Sequence, residues 1–244
     1  KENDIVETDQ VINSKNMKII GLNDPEDYDL KIDMWVNSNG DQLKYLFTNI
    51  SELNLSDDAA ELMNILLLTN SYHPEKNITQ EEFLKIKSDW LIKNNDQKLI
   101  EEYLLKNQIL DIQPRLSRYL VDQYLSSSNI GNACKIFSNN EKPITDVYLS
   151  KFNLYCLVNE GKIEEAKLIF DLKKELGFSD EYFENKINIL FGYQENIDLD
   201  ISEKTILDFH LAHRTNPEFN FEPKENTDKL IWKYLASSNL LYKI

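Results

Sequence analysis

A pattern that recurs every 33 residues constrains the fold of this chain more than any other feature of its sequence. The segment Ala133-Cys134-Lys135-Ile136-Phe137 closely matches Ala166-Lys167-Leu168-Ile169-Phe170, 33 positions later, and Ile100 and Leu104 hold the equivalent places one period earlier. Each period contains a helical pattern, a polar turn and a second helical pattern. A lone helical hairpin cannot bury its apolar face, so this period predicts hairpins that stack on one another.

The remaining apolar patterns predict helices as well. None of them alternates strictly between apolar and polar residues, as a half-buried strand does. Thr79 and Glu82 form a capping box before one such helix, because each side chain can satisfy a free backbone N–H of the other. The sequence therefore predicts an all-α fold. We expect a polar tail and irregular arm over 1–39 and a single helical-repeat domain over 40–244, with the clearest repeats over 83–193.

Residues 157–177, LVNEGKIEEAKLIFDLKKELG, resemble the core of a tetratricopeptide repeat. The family's small residue and bulky aromatic residue in the second helix correspond to Ala166 and Phe170. Leu154 stands where the family usually has Gly, and Phe178 where it usually has Pro. The resemblance implies divergent tetratricopeptide-like hairpins in a right-handed α-solenoid, and these departures mean that the family's peptide-carboxylate clamp does not carry over.

Taken whole, the chain also resembles an uncharacterised group of α-proteobacterial helical-repeat proteins that are labelled antifreeze glycopeptide polyproteins. That label implies an ice-binding surface. The sequence contains neither an Ala/Thr tripeptide array nor a Thr-rich pattern that could form one. The resemblance therefore adds to the expectation of a helical-repeat fold and implies no activity.

The charge of the chain restricts its partners. It carries 27 Lys and Arg against 42 Asp and Glu, a formal net charge of -15, which repels phosphate backbones, so we expect no nucleic-acid partner. The longest apolar run, 65–68, is far below the ~18 residues of a membrane span, so we expect no membrane insertion.

The compartment and the oligomeric state stay open. The chain opens with Lys1, and 1–16 is polar, so either a signal peptide was cleaved or the chain was trimmed. A periplasmic or secreted location is slightly favoured over a cytoplasmic one.

Cys134 and Cys156 fall in the second helix of one predicted hairpin and the first helix of the next. Neighbouring positions of this kind permit a disulfide, which would add about 3 kcal/mol of stability in an oxidising compartment. The alternative is two buried thiols that act as small apolar side chains. We do not expect a catalytic thiol, because no His is adjacent in sequence.

His210 and His213 lie three residues apart on one predicted helix and are the candidate metal ligands. Asp208 points about 200° away from His210 on the helical wheel, so a third ligand would have to come from elsewhere. The alternative is that these histidines favour the negative end of the helix dipole. The sequence has no phosphate-binding loop, no zinc-protease motif and no hydrolase nucleophile motif, so we expect no cofactor and no catalytic residue.

These observations favour a non-catalytic protein-interaction or scaffold module whose concave surface binds another protein or peptide. The predicted lining residues come from the first helices of the hairpins and are Tyr119, Gln123, Tyr148, Asn153 and Lys186. One alternative is a structural subunit of a larger cell-envelope assembly. Another is an enzyme or metal-binding protein that uses His210 or His213.

Overall fold

The computed structural model describes residues 19–138, 143–193 and 198–241. Within these ranges the chain forms eleven α-helices, one short 3-10 helix and no β-strand, which confirms the all-α class. No helix in the described ranges has both the length and the apolar character needed to cross a bilayer. The helices are α1 (Gly40–Glu52), α2 (Asp57–Leu68), α3 (Gln80–Asn94), α4 (Gln97–Asn107), α5 (Pro114–Ser126), α6 (Ile130–Ser138), α7 (Val147–Asn159), α8 (Ile163–Glu175), α9 (Glu181–Leu190), α10 (Ile206–Thr215) and α11 (Lys229–Ser237).

The chain divides into two compact units, which we call unit 1, up to Lys87, and unit 2, from Ser88 onward. The boundary falls inside α3. The predicted tail, 1–17, and the first residue of the predicted arm, Lys18, lie outside the described residues, and the rest of the arm, 19–39, belongs to unit 1.

The described part of the arm is bound to the end of α2. Leu22 N donates to Leu68 O at 2.5 Å, and Asn70 N donates to Asn23 O at 3.0 Å. A Cβ atom at Gly21 would lie 2.6 Å from Asn70 N. Because that atom belongs to the backbone and cannot move aside, only glycine fits at this position.

The core of unit 1 forms around Trp35. Its ring packs edge-on against Phe47 and Phe83, with centroid distances of 6.2 and 5.6 Å. Lys87 is buried beside them and donates from Nζ to Ile20 O at 2.8 Å. Burial lowers the pKa of Lys87 to about 7. The capping box before α3 is also present, because Thr79 N donates to Glu82 Oε2 at 2.7 Å and Glu82 N donates to Thr79 Oγ1 at 3.1 Å, which confirms that prediction.

Neighbouring helices pack together along unit 2. Helix α5 contacts α4, α6 and α7, and helix α7 contacts α6, α8 and α9. Ala133 and Ala166 are completely buried, as expected for small residues where two helices approach closely. Phe137 and Phe170, four positions later, are buried as well. The small and the aromatic positions that share the 33-residue spacing therefore face the interior, whereas Lys135 and Leu168, between them, are exposed.

Helices α10 and α11 return to α5. Helix α10 packs against α9 and α5, and α11 packs against α5 and α10. The buried side chains of α11 are Ile231, Tyr234 and Leu235. Lys233 Nζ donates to Gln123 Oε1 at 3.1 Å, and Ser237 Oγ donates to Ser126 O at 2.9 Å. The C-terminal helices therefore cover part of the surface of α5.

Candidate functional site

A chain of polar side chains runs from the middle of α5 to the start of α7. Arg118 donates from Nε to Asp146 Oδ1 at 3.0 Å and from Nη2 to Oδ2 of the same carboxylate. Asp146 is also the N-cap of α7, where Oδ1 accepts a hydrogen bond from Leu149 N at 2.9 Å. Two parallel hydrogen bonds fix the plane of a guanidinium. Arg118 is therefore held in one orientation, with its charge balanced by Asp146.

Tyr148 and Asp122 form the less exposed part of this chain. The Tyr148 hydroxyl donates to Asp122 Oδ1, and the ring centroid lies 5.9 Å from Arg118 Cζ. Burial raises the pKa of Asp122 to about 6, although the Tyr148 hydrogen bond and the Arg118 charge oppose the rise. Burial, followed by the Asp122 charge, raises the pKa of Tyr148 well above its ordinary value. Asp122 therefore changes its charge near pH 6, while Tyr148 remains a neutral donor.

Two openings meet at Arg118 and Asp122. One is a cavity of about 250 Å³ that Tyr148, Glu203, Lys204 and Asp228 also line. The other is a wider depression of about 490 Å³ whose lining includes Tyr119 and Asp146. We call this surface the α5–α7 face and define it by Arg118, Tyr119, Asp122, Asp146 and Tyr148.

The side chains around the cavity leave a net negative charge. Asp122, Glu203 and Asp228 contribute carboxylates, and Lys204 contributes the one ammonium among the lining residues. Arg118 adds no net positive charge because it is paired with Asp146. The cavity could therefore accept a cationic group.

The structure separates the five predicted lining residues. Tyr119 and Gln123 are half-buried on α5, where the Tyr119 hydroxyl donates to Asn95 Oδ1 at 2.6 Å. Tyr148 and Lys186 are buried, so their predicted place on an open concave surface needs correction. Tyr148 still lines the cavity of the α5–α7 face, whereas Lys186 lines neither opening. Asn153 lies five residues after Tyr148, about 140° around α7, and lines a different cleft.

The burial of Lys186 has a clear cause. Its Nζ donates to Asp198 O at 2.8 Å and lies 3.1 Å from Asp198 Oδ2, at the beginning of the returning C-terminal segment. Lys151, which the sequence reasoning missed, pairs in the same way with Asp180 and Asp208. Lys151 lies between the apolar residues Leu149 and Phe152 on α7. A lysine in such a position is the sequence signal that could have indicated a buried ion pair.

The two candidate metal ligands converge on tyrosine hydroxyl groups. His210 Nδ1 lies 2.9 Å and His213 Nδ1 lies 2.7 Å from the Tyr234 hydroxyl, and His210 Nε2 lies 2.7 Å from the Tyr155 hydroxyl. Among the described residues, no group of three or more His, Cys, Asp or Glu side chains could hold a metal ion. Burial lowers the pKa of His210 to about 3, so this imidazole is neutral near pH 7. The arrangement suits a buried hydrogen-bond network that joins α7, α10 and α11.

Cys134 and Cys156 form a disulfide between α6 and α7 in this structure, with Cα atoms 5.4 Å apart. The two residues are 22 positions apart in sequence, so the bond closes a loop that includes the connection between these helices. The described part of the chain contains no free cysteine.

Unit 2 thus contains an open cavity with a net negative lining and a buried histidine network. The α5–α7 face contains a carboxylate whose charge depends on pH and a guanidinium in a fixed orientation. Such groups can recognise charged side chains of a partner. Comparison of the chain with protein-family models, with characterised proteins and with solved structures finds no significant match.

Proposed function

We propose that this chain is a non-catalytic interaction module built from divergent tetratricopeptide-like hairpins, and that its α5–α7 face binds a basic segment of another protein. The 33-residue spacing of Ala133 and Ala166 supports the hairpins, because both residues are buried at equivalent places in α6 and α8. Repeat folds of this kind use the exposed side chains of successive hairpins to hold extended segments.

The observation that carries the proposal is the pair of openings that meet at Arg118 and Asp122. Asp122 is a carboxylate that burial destabilises in its charged form, so a lysine or arginine side chain placed beside it restores a favourable interaction. Glu203 and Asp228 add attraction at the edge of the same cavity. The net charge of -15 adds a long-range attraction that favours the approach of a basic partner.

The test uses a double variant, Asp122→Asn with Asp228→Asn. Asp228 is the N-cap of α11 and accepts from Leu230 N at 2.7 Å, and asparagine caps helices equally well, so the fold should be preserved. The matched control is Glu52→Gln with Glu61→Gln, which removes the same charge from exposed positions of unit 1. Fluorescence anisotropy measures the binding of short peptides that differ in their lysine and arginine content.

We expect basic peptides to bind the natural chain and to bind the double variant at least about tenfold more weakly, a loss of about 1.4 kcal/mol. The control variant should bind like the natural chain. Equal losses in the two variants would show that the peptides respond to net charge alone, and the proposed face would then be wrong.

The pH dependence of peptide binding provides an independent test of the role of Asp122. The raised pKa of Asp122 means that its charge is present above about pH 6 and is lost as the pH falls below that value. Basic peptides should therefore bind more weakly at pH 5 than at pH 7.5. Asp122→Asn alone should show a smaller change between these two pH values, and an unchanged pH profile would argue against a role for Asp122.

A further inference from the structure

A second cleft, of about 460 Å³, lies in unit 2 between α6 and α8, with α7 as its floor. It shares no lining residue with the α5–α7 face. Helix α7 contributes Ser150, Asn153 and Leu157, which are three and four residues apart and so lie on one face of the helix. Its volume falls in the range of about 300–1,000 Å³ that is typical of small-molecule sites.

The walls of this cleft are mainly apolar. Phe137, Leu157, Ile169 and Leu172 line it, and Leu176 extends it beyond the end of α8. Leu172 and Leu176 remain 54% and 79% exposed, so the described part of the chain does not cover them. An apolar body of a ligand would remove these side chains from water.

The floor of the cleft contains a buried hydroxyl group that has no partner. Ser150 is 3% exposed, and its Oγ forms no hydrogen bond with any described residue. A buried polar atom without a partner destabilises a folded chain, so such atoms are uncommon. A ligand atom that accepts or donates at this point would satisfy Ser150.

Lys173 supplies a positive charge to the same cleft. Its Nζ donates to Ile144 O at 3.4 Å. The Asp111 carboxylate interacts with this ammonium electrostatically, but among the described residues no direct ion pair with Lys173 is found. Because α7 and α8 run antiparallel through a short turn, the last turn of α8 lies beside the first turn of α7. Lys173 and Ser150 are therefore at the same end of the cleft.

The other end of the cleft carries carboxylates and therefore disfavours an anion. Glu160 and Glu165 line it near the turn between α7 and α8, and Lys162 is paired with Glu160 at 2.8 Å. The eight residues from Glu165 to Lys173 span about 12 Å along α8. An anionic head group is therefore attracted to the Lys173 end and repelled from the Glu165 end.

We propose that this cleft binds a small monocarboxylate that has a linear apolar chain. The carboxylate lies at Lys173, where Ser150 and Asn153 can also donate hydrogen bonds to it, and the chain follows Ile169 and Leu157 between the two helices. This inference does not depend on the proposed peptide binding, because the two sites have no residue in common.

The test uses decanoate as the probe and isothermal titration calorimetry of the full chain. Decanol, which has the same chain without the charge, tests the head group, and acetate tests the apolar body. Lys173→Gln removes the ammonium, and Lys167→Gln is the matched control because Lys167 lies on the same helix, pairs with Glu164 and does not line the cleft. We expect one decanoate per chain, affinity at least tenfold lower for Lys173→Gln, and unchanged affinity for Lys167→Gln.

Ser150→Ala gives a second readout that does not depend on affinity alone. It removes the unpartnered hydroxyl group, so the ligand-free variant should melt at a higher temperature than the natural chain, while decanoate should raise its melting temperature less. The proposal is wrong if decanol binds as tightly as decanoate, if Lys173→Gln binds normally, or if many decanoate molecules bind per chain. Binding of a short peptide with a C-terminal leucine, without any binding of decanoate, would also overturn it.

Discussion

Lys151 links three helices of unit 2 through buried charges. Its ammonium, on α7, lies 2.9 Å from Oδ2 of Asp180, which is the N-cap of α9. It also lies 3.4 Å from Oδ1 of Asp208, which is on α10. The side chains of Lys151 and Asp208 are 8% and 7% exposed. The Tyr182 hydroxyl also donates to Asp208 O at 3.1 Å. Buried ion pairs contribute little net stability when complete, but the loss of one partner leaves the other charge without compensation.

We expect Lys151→Met to lower the free energy of unfolding by about 3–5 kcal/mol, because it leaves the Asp208 carboxylate buried and unpaired. Adding Asp208→Asn should recover part of this loss, since the remaining amide is neutral. Urea denaturation followed by circular dichroism measures both values.

The matched control for this prediction is Lys167→Met. Lys167 pairs with Glu164, which is largely exposed, so its loss should leave the free energy of unfolding nearly unchanged. A similar effect of Lys151→Met and Lys167→Met would contradict a special role for the buried group.

At the scale of elements, the features that were predicted correctly are those that depend on local sequence patterns. The capping box of Thr79 and Glu82 marks the start of α3, and the small residues Ala133 and Ala166 mark buried positions of α6 and α8. These features require only residues within one or two helical turns. Periodicity therefore indicated the helices and their buried faces.

The sequence did not indicate that the C-terminal segment covers these helices. Gln123 and Lys233, which form one of the contacts, are 110 residues apart, and no local pattern pairs them. Tyr148 and Lys186 were expected on an open surface, because no local pattern indicates that α7 and α9 are covered. Lys186 in fact binds Asp198 of the returning segment, and the Tyr148 hydroxyl donates to Asp122. Of the residues that define the α5–α7 face, only Tyr119 and Tyr148 were predicted.

The disulfide between α6 and α7 permits a prediction about the stability of the chain. The 22-residue separation of Cys134 and Cys156 corresponds to a loop whose closure stabilises the folded chain by about 3 kcal/mol in the chain-entropy model. The double variant Cys134→Ala with Cys156→Ala should lose about this amount in guanidinium denaturation. Reduction of the natural chain should produce a similar loss.

Thiol titration of the unreduced, denatured chain supplies the control for that experiment. We expect no reactive thiol before reduction and two after it. If the unreduced chain contained two free thiols, the pair would instead be buried side chains, and the loss in the double variant would then reflect packing alone.

At the scale of the whole molecule, unit 2 depends on residues 198–241. Helices α10 and α11 cover α5, and the Tyr155 and Tyr234 hydroxyl groups are both hydrogen-bonded to His210 across this junction. Removal of the segment would expose an apolar surface and leave several polar groups without partners. Unit 2 therefore requires this segment to complete its core.

We expect a chain that lacks residues 198–244 to bind a hydrophobic dye and to self-associate in size-exclusion chromatography, because the α5 surface is uncovered. Adding a synthetic peptide of residues 198–241 should reduce both effects. A truncated chain that stayed monomeric and bound no dye would show that α5 does not need this cover.

The return of α11 to α5 also sets the order of events during protein synthesis. Gln123 is translated about 110 residues before Lys233, the residue that it contacts. At about 5–20 residues per second, the ribosome needs roughly 5–20 s to synthesise the chain between them. During that interval the apolar surface of α5 faces water on the nascent chain, which makes it a natural substrate for chaperones until α11 emerges.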